Sequence, residues 1–287
     1  MPELPEVERV RQELSPRIIG RLVTRVVLHR RDIVRGPKSK PDLLLGARLD
    51  SILRQGKQLA IVGSTGRVLC VHLGMTGQFF HLPPGATLPR KDHVHVIWSL
   101  TTVAGSPAGR LLFRDPRRFG GLWTFASLDD LKSDRWTNLG PDALRISTRR
   151  LSSELNQSAR AIKAALLDQR VCAGIGNIYA DESLFRAGVN PALPCRSLTP
   201  SQWEALTKQI RSTLRDAIKG GGSTLRDYVG GDGSRGGYQA AHLVYGRGGR
   251  PCLRCGTKLD RGSLAQRTTV WCPLCQPIPD EQDTKAR

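Results

Sequence analysis

The sequence predicts an α+β protein of two domains, in which a helix and a β-rich half precede a helical half. The chain has 287 residues, more than the roughly 100 to 200 typical of one domain. Apolar residues recur at helical intervals at the start and again after Leu128, while short alternating runs fill the stretch between. Two Cys-x-x-Cys pairs near the C-terminus indicate a further small module.

The first element is a helix over residues 2–14. Leu4, Val7, Val10 and Leu14 have the spacing of one helical face. Acidic residues follow the start, where the helix dipole favours negative charge. The chain therefore begins with a helix.

Short runs rich in β-branched residues extend from about Gly20 to Phe125. The clearest are residues 21–29, 67–73 and 93–100, separated by Gly, Pro and Ser clusters. This alternation is typical of half-buried strands. We expect six to eight antiparallel strands forming a sandwich or a barrel.

Helical periodicity returns in the second half, first at 161–169 and then at 178–188, where Asn177 is a candidate cap. A third helix starts at a capping box formed by Thr199 and Gln202. These segments predict a helical domain.

A glycine-rich segment, residues 219–239, follows the third helix. It contains eight glycines and few apolar residues. Such a composition is typical of a linker or of a mobile lid. The predicted borders place an N-terminal domain at 1–133, a helical domain with this segment (220–239) at 134–246, a small module with the two Cys-x-x-Cys pairs at 247–277 and a disordered tail at 278–287.

The charge of the chain indicates a polyanionic partner. Lys and Arg number 44 against 25 Asp and Glu, a net charge of +19. A membrane surface also attracts cations, but the sequence has no run of 18 apolar residues and no signal-peptide pattern. Nucleic acid is therefore favoured over lipid, and no membrane association is expected.

The seven cysteines indicate metal binding in a reducing compartment. Cys252, Cys255, Cys272 and Cys275 form two pairs with 16 residues between them, a spacing that suits one tetrahedral zinc ion. Four thiolates leave no open position for water, so we expect one structural Zn²⁺. Arg261 lies between the pairs, where it could meet phosphate or simply be solvated.

Six motifs occur in one order along the chain: PELPEVE at 2–8, GKQ at 56–58, HLGMTG at 72–77, DPRRFGG at 115–121, GIGNIYADESLF at 174–185, and the four-cysteine finger. Together they resemble the bacterial formamidopyrimidine-DNA glycosylases of the Fpg/Nei family. The resemblance implies a helix with a two-layered antiparallel β-sandwich, then a helix-two-turn-helix domain with a zinc ribbon, with DNA in the cleft between.

The resemblance also implies a bifunctional enzyme of base-excision repair, which flips out and excises oxidised purines and then cleaves the strand by β,δ-elimination. Its nucleophile is Pro2 after removal of Met1. An α-amine has a pKa of about 7.7 to 8.0, against about 10.4 for a lysine, so more of it is neutral near pH 7. The terminal amine therefore suits covalent catalysis better than Lys57 does.

The same match assigns the other catalytic roles. Glu3 serves the sugar ring oxygen and the leaving base, and Lys57 is the acid/base of β-elimination. Arg267 assists δ-elimination, and because arginine stays protonated we expect a phosphate clamp there. Glu6 is either catalytic or a solvated carboxylate at the helix start.

DNA contacts are assigned by motif match as well. The residues expected to fill the space left by the flipped base are Met75, Arg117 and Phe119. The residues expected to contact phosphates are His72, His93, Arg118, Asn177, Tyr245 and Arg261. The residues expected near the lesion are Lys163 and, in the glycine-rich segment, Arg226.

Three other functions remain open at this point. One is an endonuclease VIII-like glycosylase for oxidised pyrimidines, against which Leu4, Met75 and the long glycine-rich segment argue. The others are a DNA-binding zinc ribbon without catalysis and an abasic-site lyase without base preference. The resemblance implies a monomer, and the cysteine usage indicates a reducing compartment, so we expect the protein in the bacterial cytoplasm, associated with the nucleoid.

Overall fold

The computed structural model describes residues 1–36, 42–88, 92–223 and 237–278, and the chain divides into two compact units. Unit 1 comprises residues 1–138 and 218–239, and unit 2 comprises 139–217 and 240–287. No helix in the described ranges is long and apolar enough to cross a membrane. Arg226 and residues 279–287 of the predicted tail lie outside the described residues.

Unit 1 opens with helix α1 (Leu4–Ile18), which confirms the predicted first helix and extends it. Val7, Val10 and Leu14 are buried along one face, so burial of an apolar stripe stabilises the helix. α1 packs against the sheets that follow it in the chain.

Eight strands confirm the predicted antiparallel β-structure. They are β1 (Leu22–Leu28), β2 (Leu49–Gln55), β3 (Gln58–Gly63), β4 (Val68–His72), β5 (Gln78–Leu82), β6 (Val94–Thr101), β7 (Pro107–Arg114) and β8 (Gly121–Phe125). One sheet has the order β1-β6-β7-β5 and the other the order β2-β3-β4-β8. Every neighbouring pair in both sheets is antiparallel.

One apolar core joins α1 to the inner faces of both sheets, as expected of a two-layered sandwich. Phe79 lies edge-on to Trp98 and to Phe113, with ring centroids 5.8 and 6.3 Å apart. The outer face of β3 and β4 is covered by α2 (Leu128–Asp134), where Leu131 packs on Cys70. Burial on both faces explains the uninterrupted apolar runs of these strands.

The second half of the chain contains α3 (Thr148–Leu155), α4 (Ile162–Leu167), α5 (Asn177–Ala187), α6 (Pro200–Lys219) and the hairpin of β9 (Asp260–Leu264) and β10 (Arg267–Trp271). The capping box of α6 is confirmed: the Thr199 N–H donates to Gln202 Oε1 at 2.9 Å, and the Gln202 N–H donates to Thr199 Oγ1 at 3.3 Å. The predicted cap of α5 is wrong, because Gly176 is the cap and Asn177 is the first helical residue.

Candidate active site

The start of α1 holds two buried carboxylates next to Pro2, which is itself buried. The Glu3 side chain accepts the backbone N–H of Glu6, and Glu6 Oε2 accepts the Glu3 N–H at 2.8 Å. Glu6 Oε1 accepts the Ser223 N–H at 2.8 Å. Because Glu6 is only 1% exposed and each oxygen receives a backbone N–H, it anchors the helix start to the base of the glycine-rich segment. It is not a solvated carboxylate.

Lys57 lies in the two-residue turn between β2 and β3. The preceding Gly56 has φ +54°, a conformation that glycine adopts without strain in such hairpins. Arg54 donates to the Gly56 carbonyl at 3.0 Å. Lys57 itself is 8% exposed, so the turn holds its side chain in a largely dry position.

His72 is at the end of β4 and is neutral at physiological pH. Burial lowers its pKa to about 4, and the charges of Arg135 and Lys57 act in the same direction. Its Nδ1 accepts the Gly74 N–H at 3.1 Å. The ring proton is therefore on Nε2, which makes His72 an N–H donor suited to an anionic oxygen.

Met75 and Phe119 are on the loops that follow β4 and β7 and are 37% and 50% exposed. The guanidinium carbon of Arg117 lies 4.6 Å from the Phe119 ring centroid. Large apolar side chains at exposed loop tips are available for contact with another molecule. Met75, Arg117 and Phe119 are the residues expected to fill the space of the flipped base, and we call them the wedge residues. The structure brings them together at the surface of unit 1, not in its core.

Arg118 and His93 both adopt left-handed backbone conformations, with φ of +52° and +62°. Arg118 Nη1 lies 2.7 Å from Asp32 Oδ2, and His93 Nε2 lies 3.6 Å from Asp92 Oδ2. Both residues are exposed. Each of the two side chains lies beside a carboxylate, so an anion that bound there would compete with that carboxylate.

Lys163 lies on α4 inside unit 2 and is fully buried, which does not fit its expected place near the lesion. Its Nζ is 2.7 Å from Asp181 Oδ1 and donates to Thr268 O at 3.0 Å and to Thr269 Oγ1 at 2.8 Å. Asp181 Oδ2 in turn accepts the Val270 N–H at 3.3 Å. The ion pair thus holds β10, the strand that begins at Arg267.

Glu182, the next residue on α5, anchors the segment that carries Tyr245. The buried Glu182 carboxylate accepts the N–H groups of Leu243, Val244 and Tyr245 at 2.9 to 3.0 Å. Sequence reasoning missed both Asp181 and Glu182 as positioning residues. The available signal was two consecutive acids within a helix whose other residues are mostly apolar.

The β9–β10 hairpin presents Arg267 and Arg261, both exposed. Its turn residues Ala265 and Gln266 have φ of +49° and +58°, as in a two-residue hairpin turn with a right-handed twist. Asn177 Nδ2 donates to the Thr268 carbonyl at 2.9 Å, so the start of α5 also holds this hairpin. The two guanidinium groups are thereby placed on a braced element within unit 2.

The four predicted zinc ligands form one cluster in unit 2. The Sγ atoms of Cys252, Cys255, Cys272 and Cys275 all lie within 4.8 Å of one another. Zinc with Zn–S bonds of about 2.3 Å places its sulfurs about 3.8 Å apart, so the cluster fits one tetrahedral ion. Backbone N–H groups of Arg254 and Cys275 approach Sγ atoms at 3.4 Å, which favours thiolates.

Three family models match the chain: the formamidopyrimidine-DNA glycosylase N-terminal domain over 1–122, the formamidopyrimidine-DNA glycosylase H2TH domain over 139–229, and the zinc finger found in FPG and IleRS over 249–278. A formamidopyrimidine-DNA glycosylase of Thermomicrobium roseum is 42% identical over 97% of this chain and all of its own length.

Two solved structures are also similar to this chain over nearly its whole length. The MutM (Fpg) protein of Thermus thermophilus is 39% identical, with a TM-score of 0.83 over 97% of this chain and all of that one. A variant of Lactococcus lactis Fpg in complex with Fapy-dG-containing DNA is 33% identical, with a TM-score of 0.86 over 96% of this chain and all of that one. With both sheets, the helical domain and the four-cysteine cluster in place, this chain belongs to the formamidopyrimidine-DNA glycosylase family.

Proposed function

We propose that the chain is a base-excision DNA glycosylase for oxidised purines, 8-oxoguanine and formamidopyrimidines, and that it also cleaves the strand at the resulting abasic site. The observation that carries the proposal is the match to a relative bound to Fapy-dG-containing DNA over 96% of this chain. The net charge of +19 supports DNA as the partner, because cationic side chains release the counterions of the phosphate backbone.

The first chemical step belongs to Pro2. Once Met1 is removed, the Pro2 nitrogen is a secondary amine with a free lone pair. It attacks C1′ of the flipped nucleotide as the bond from C1′ to the base breaks, and the base leaves with the bonding electrons and takes up a proton. The nitrogen then loses its own proton and forms an iminium with C1′ as the ring opens.

Ring opening needs a proton on the sugar ring oxygen, and Glu3 is the group we assign to it. The buried position of Glu3 directly after Pro2 supports this role, because it keeps the carboxyl close in the chain to the attacking amine. An acid held close to its acceptor contributes typically 10² to 10⁴-fold to such a step, by the general scale of acid–base catalysis.

Strand cleavage follows from the iminium, which acidifies the hydrogen on C2′. Lys57, held by its tight turn, removes this proton as the 3′ phosphate leaves in β-elimination. A second proton loss expels the 5′ phosphate in δ-elimination, and Arg267 on the braced hairpin stabilises that leaving group as a fixed cation. Cys252, Cys255, Cys272 and Cys275 would hold one zinc ion, which would stabilise the fold of the ribbon, and four thiolate ligands would leave no position for a reacting water.

The remaining residues position the DNA. Met75, Arg117 and Phe119 occupy the space that the flipped base leaves, where the Arg117 guanidinium can donate to the unpaired cytosine. Phosphate contacts are assigned to His72, His93, Arg118, Asn177, Tyr245 and Arg261. We further propose that the enzyme acts as a monomer on nucleoid DNA in the bacterial cytoplasm.

The test is cleavage of three matched duplexes that differ in one base: 8-oxoguanine opposite cytosine, thymine glycol opposite adenine, and undamaged guanine opposite cytosine. We expect cleavage of the 8-oxoguanine strand at the lesion, with phosphate on both ends of the gap. Preferred cleavage at thymine glycol would instead support an endonuclease VIII-like specificity. Salt-sensitive binding of all three duplexes without cleavage would leave a non-catalytic DNA-binding protein.

A further inference from the structure

Two loops of unit 1 carry the exposed wedge side chains. Loop A, residues 73–77, joins β4 to β5 and carries Met75. Loop B, residues 115–120, joins β7 to β8 and carries Arg117 and Phe119. The three side chains come from two loops that are about 40 residues apart in sequence, so something must fix one loop against the other.

Asp115 makes hydrogen bonds to both loops. Its Oδ1 accepts the Thr76 hydroxyl from loop A and the Arg117 N–H at 3.3 Å from loop B. Its Oδ2 accepts the Gly120 N–H at 2.7 Å. Thr76 and Gly120 are the direct sequence neighbours of Met75 and Phe119. Arg117 is itself one of the wedge residues.

The carboxylate of Asp115 is fully buried, which is costly for a charged group unless several donors satisfy it. Its own backbone is held as well, because the Asp115 carbonyl contacts His95 Nε2 at 2.8 Å. Thr76 completes a triangle, since its Oγ1 also receives the Arg117 N–H at 3.2 Å. Asp115, Thr76 and Arg117 are therefore joined by a closed set of hydrogen bonds, which leaves little freedom for either loop to shift.

The backbones of the two loops also touch. A Cβ placed on Gly74 would lie 2.3 Å from the Gly120 nitrogen and 2.4 Å from the Phe119 carbonyl carbon. Gly74 also has φ +61°. Only a glycine permits this approach, so the loops are packed as one body.

We infer that Asp115 is a positioning residue that locks loops A and B into one rigid wedge, so that Met75, Arg117 and Phe119 enter the DNA in a fixed arrangement. The inference rests on the proposed function, because a wedge needs a duplex to open. It assigns Asp115 a part in base flipping and not in bond cleavage, since the carboxylate is fully buried and hydrogen-bonds to both loops.

The test separates flipping from chemistry. Asp115→Asn keeps the size of the side chain but turns an amide N–H₂ towards one of its N–H donors. Single-turnover excision of 8-oxoguanine from a duplex is compared with cleavage of a preformed abasic site in a single strand, which needs no wedge. Stopped-flow fluorescence of 2-aminopurine beside the lesion reports opening directly. Asp129→Asn, an exposed carboxylate on α2, is the matched control.

We expect Asp115→Asn to slow duplex excision and the fluorescence change about 10- to 100-fold, the scale of losses from small misplacements, and single-strand cleavage by less than about twofold. Equal losses in both assays, or no loss, would overturn the inference. If Asp115→Asn does not fold, Thr76→Val should show the same split and Thr76→Ser should restore the wild-type rate. Wild-type protein inactive on both substrates would instead refute the proposed function.

Discussion

Replacement of Lys163 by Met tests whether this residue holds the hairpin or acts on DNA. The Lys163 ammonium makes three contacts of 2.7 to 3.0 Å and has no exposed surface. Removing one partner of a buried ion pair typically costs about 3 to 5 kcal/mol. Burial raises the pKa of Asp181 to about 7 against the lowering influence of Lys163, so without Lys163 this carboxyl takes up a proton at neutral pH. We therefore expect Lys163→Met to lower the free energy of unfolding by about 3 kcal/mol, the low end of this range.

The assay is urea unfolding followed by circular dichroism, with hydrogen exchange of the β10 amides as a local readout. Lys163→Met should unfold at lower urea, and the double variant with Asp181→Asn should regain about 1 kcal/mol or more, because asparagine is neutral without the proton uptake that Asp181 then requires. Lys132→Met, which breaks an exposed pair with Asp129, should change stability by less than about 1 kcal/mol. If Lys163→Met had wild-type stability but no longer excised the lesion, this reasoning would be refuted and Lys163 would be assigned to the lesion site.

Three further predictions concern titration, metal and the helix start. Between pH 6.5 and 4, His72 binds a proton in the unfolded chain but not in the folded one. The free energy of unfolding, measured by urea titration, should therefore fall by about 2 kcal/mol from pH 7 to 5. In His72→Gln this dependence on pH should be absent. Zinc chelation should lower the melting temperature and weaken DNA binding, and added Zn²⁺ should restore both. Cys272→Ser should bind less than one zinc per chain, as measured by atomic absorption. An unchanged melting temperature after chelation and full metal content in the variant would contradict a structural ion. Glu6→Gln, which turns an N–H₂ towards the N–H of Glu3 or Ser223, should cost about 1 to 3 kcal/mol in calorimetry, and a variant of wild-type stability would contradict the anchoring role.

The sequence predicted those parts of the molecule that depend on local pattern. The apolar spacing of α1, the alternation of the strands and the capping box at Thr199 are properties of neighbouring residues, and the structure confirms each. The zinc cluster was predictable for a related reason, since the Cys-x-x-Cys spacing follows from the geometry of the ion.

The parts that were missed depend on tertiary pairing. Lys163 and Asp181 come from different helices, and nothing near either residue in sequence indicates that both are buried. Asn177 was expected to cap α5, but Gly176 takes the extended backbone and frees the Asn177 amide to hold Thr268. In each case a polar side chain that resembles a surface group in sequence instead makes a hydrogen bond to the backbone of β10.

The central claim is that the Pro2 nitrogen is the nucleophile, and borohydride trapping tests it most directly. Protein lacking Met1 and protein shown by mass to retain it are each incubated with an 8-oxoguanine:cytosine duplex and borohydride. Pro2→Gly, which substitutes a primary amine for the secondary one, is run beside them. We expect a covalent complex at full yield only from the processed wild-type chain, with the DNA mapped to residue 2 by peptide mass. Equal trapping by the Met1-retaining chain, or attachment at Lys57, would contradict the claim.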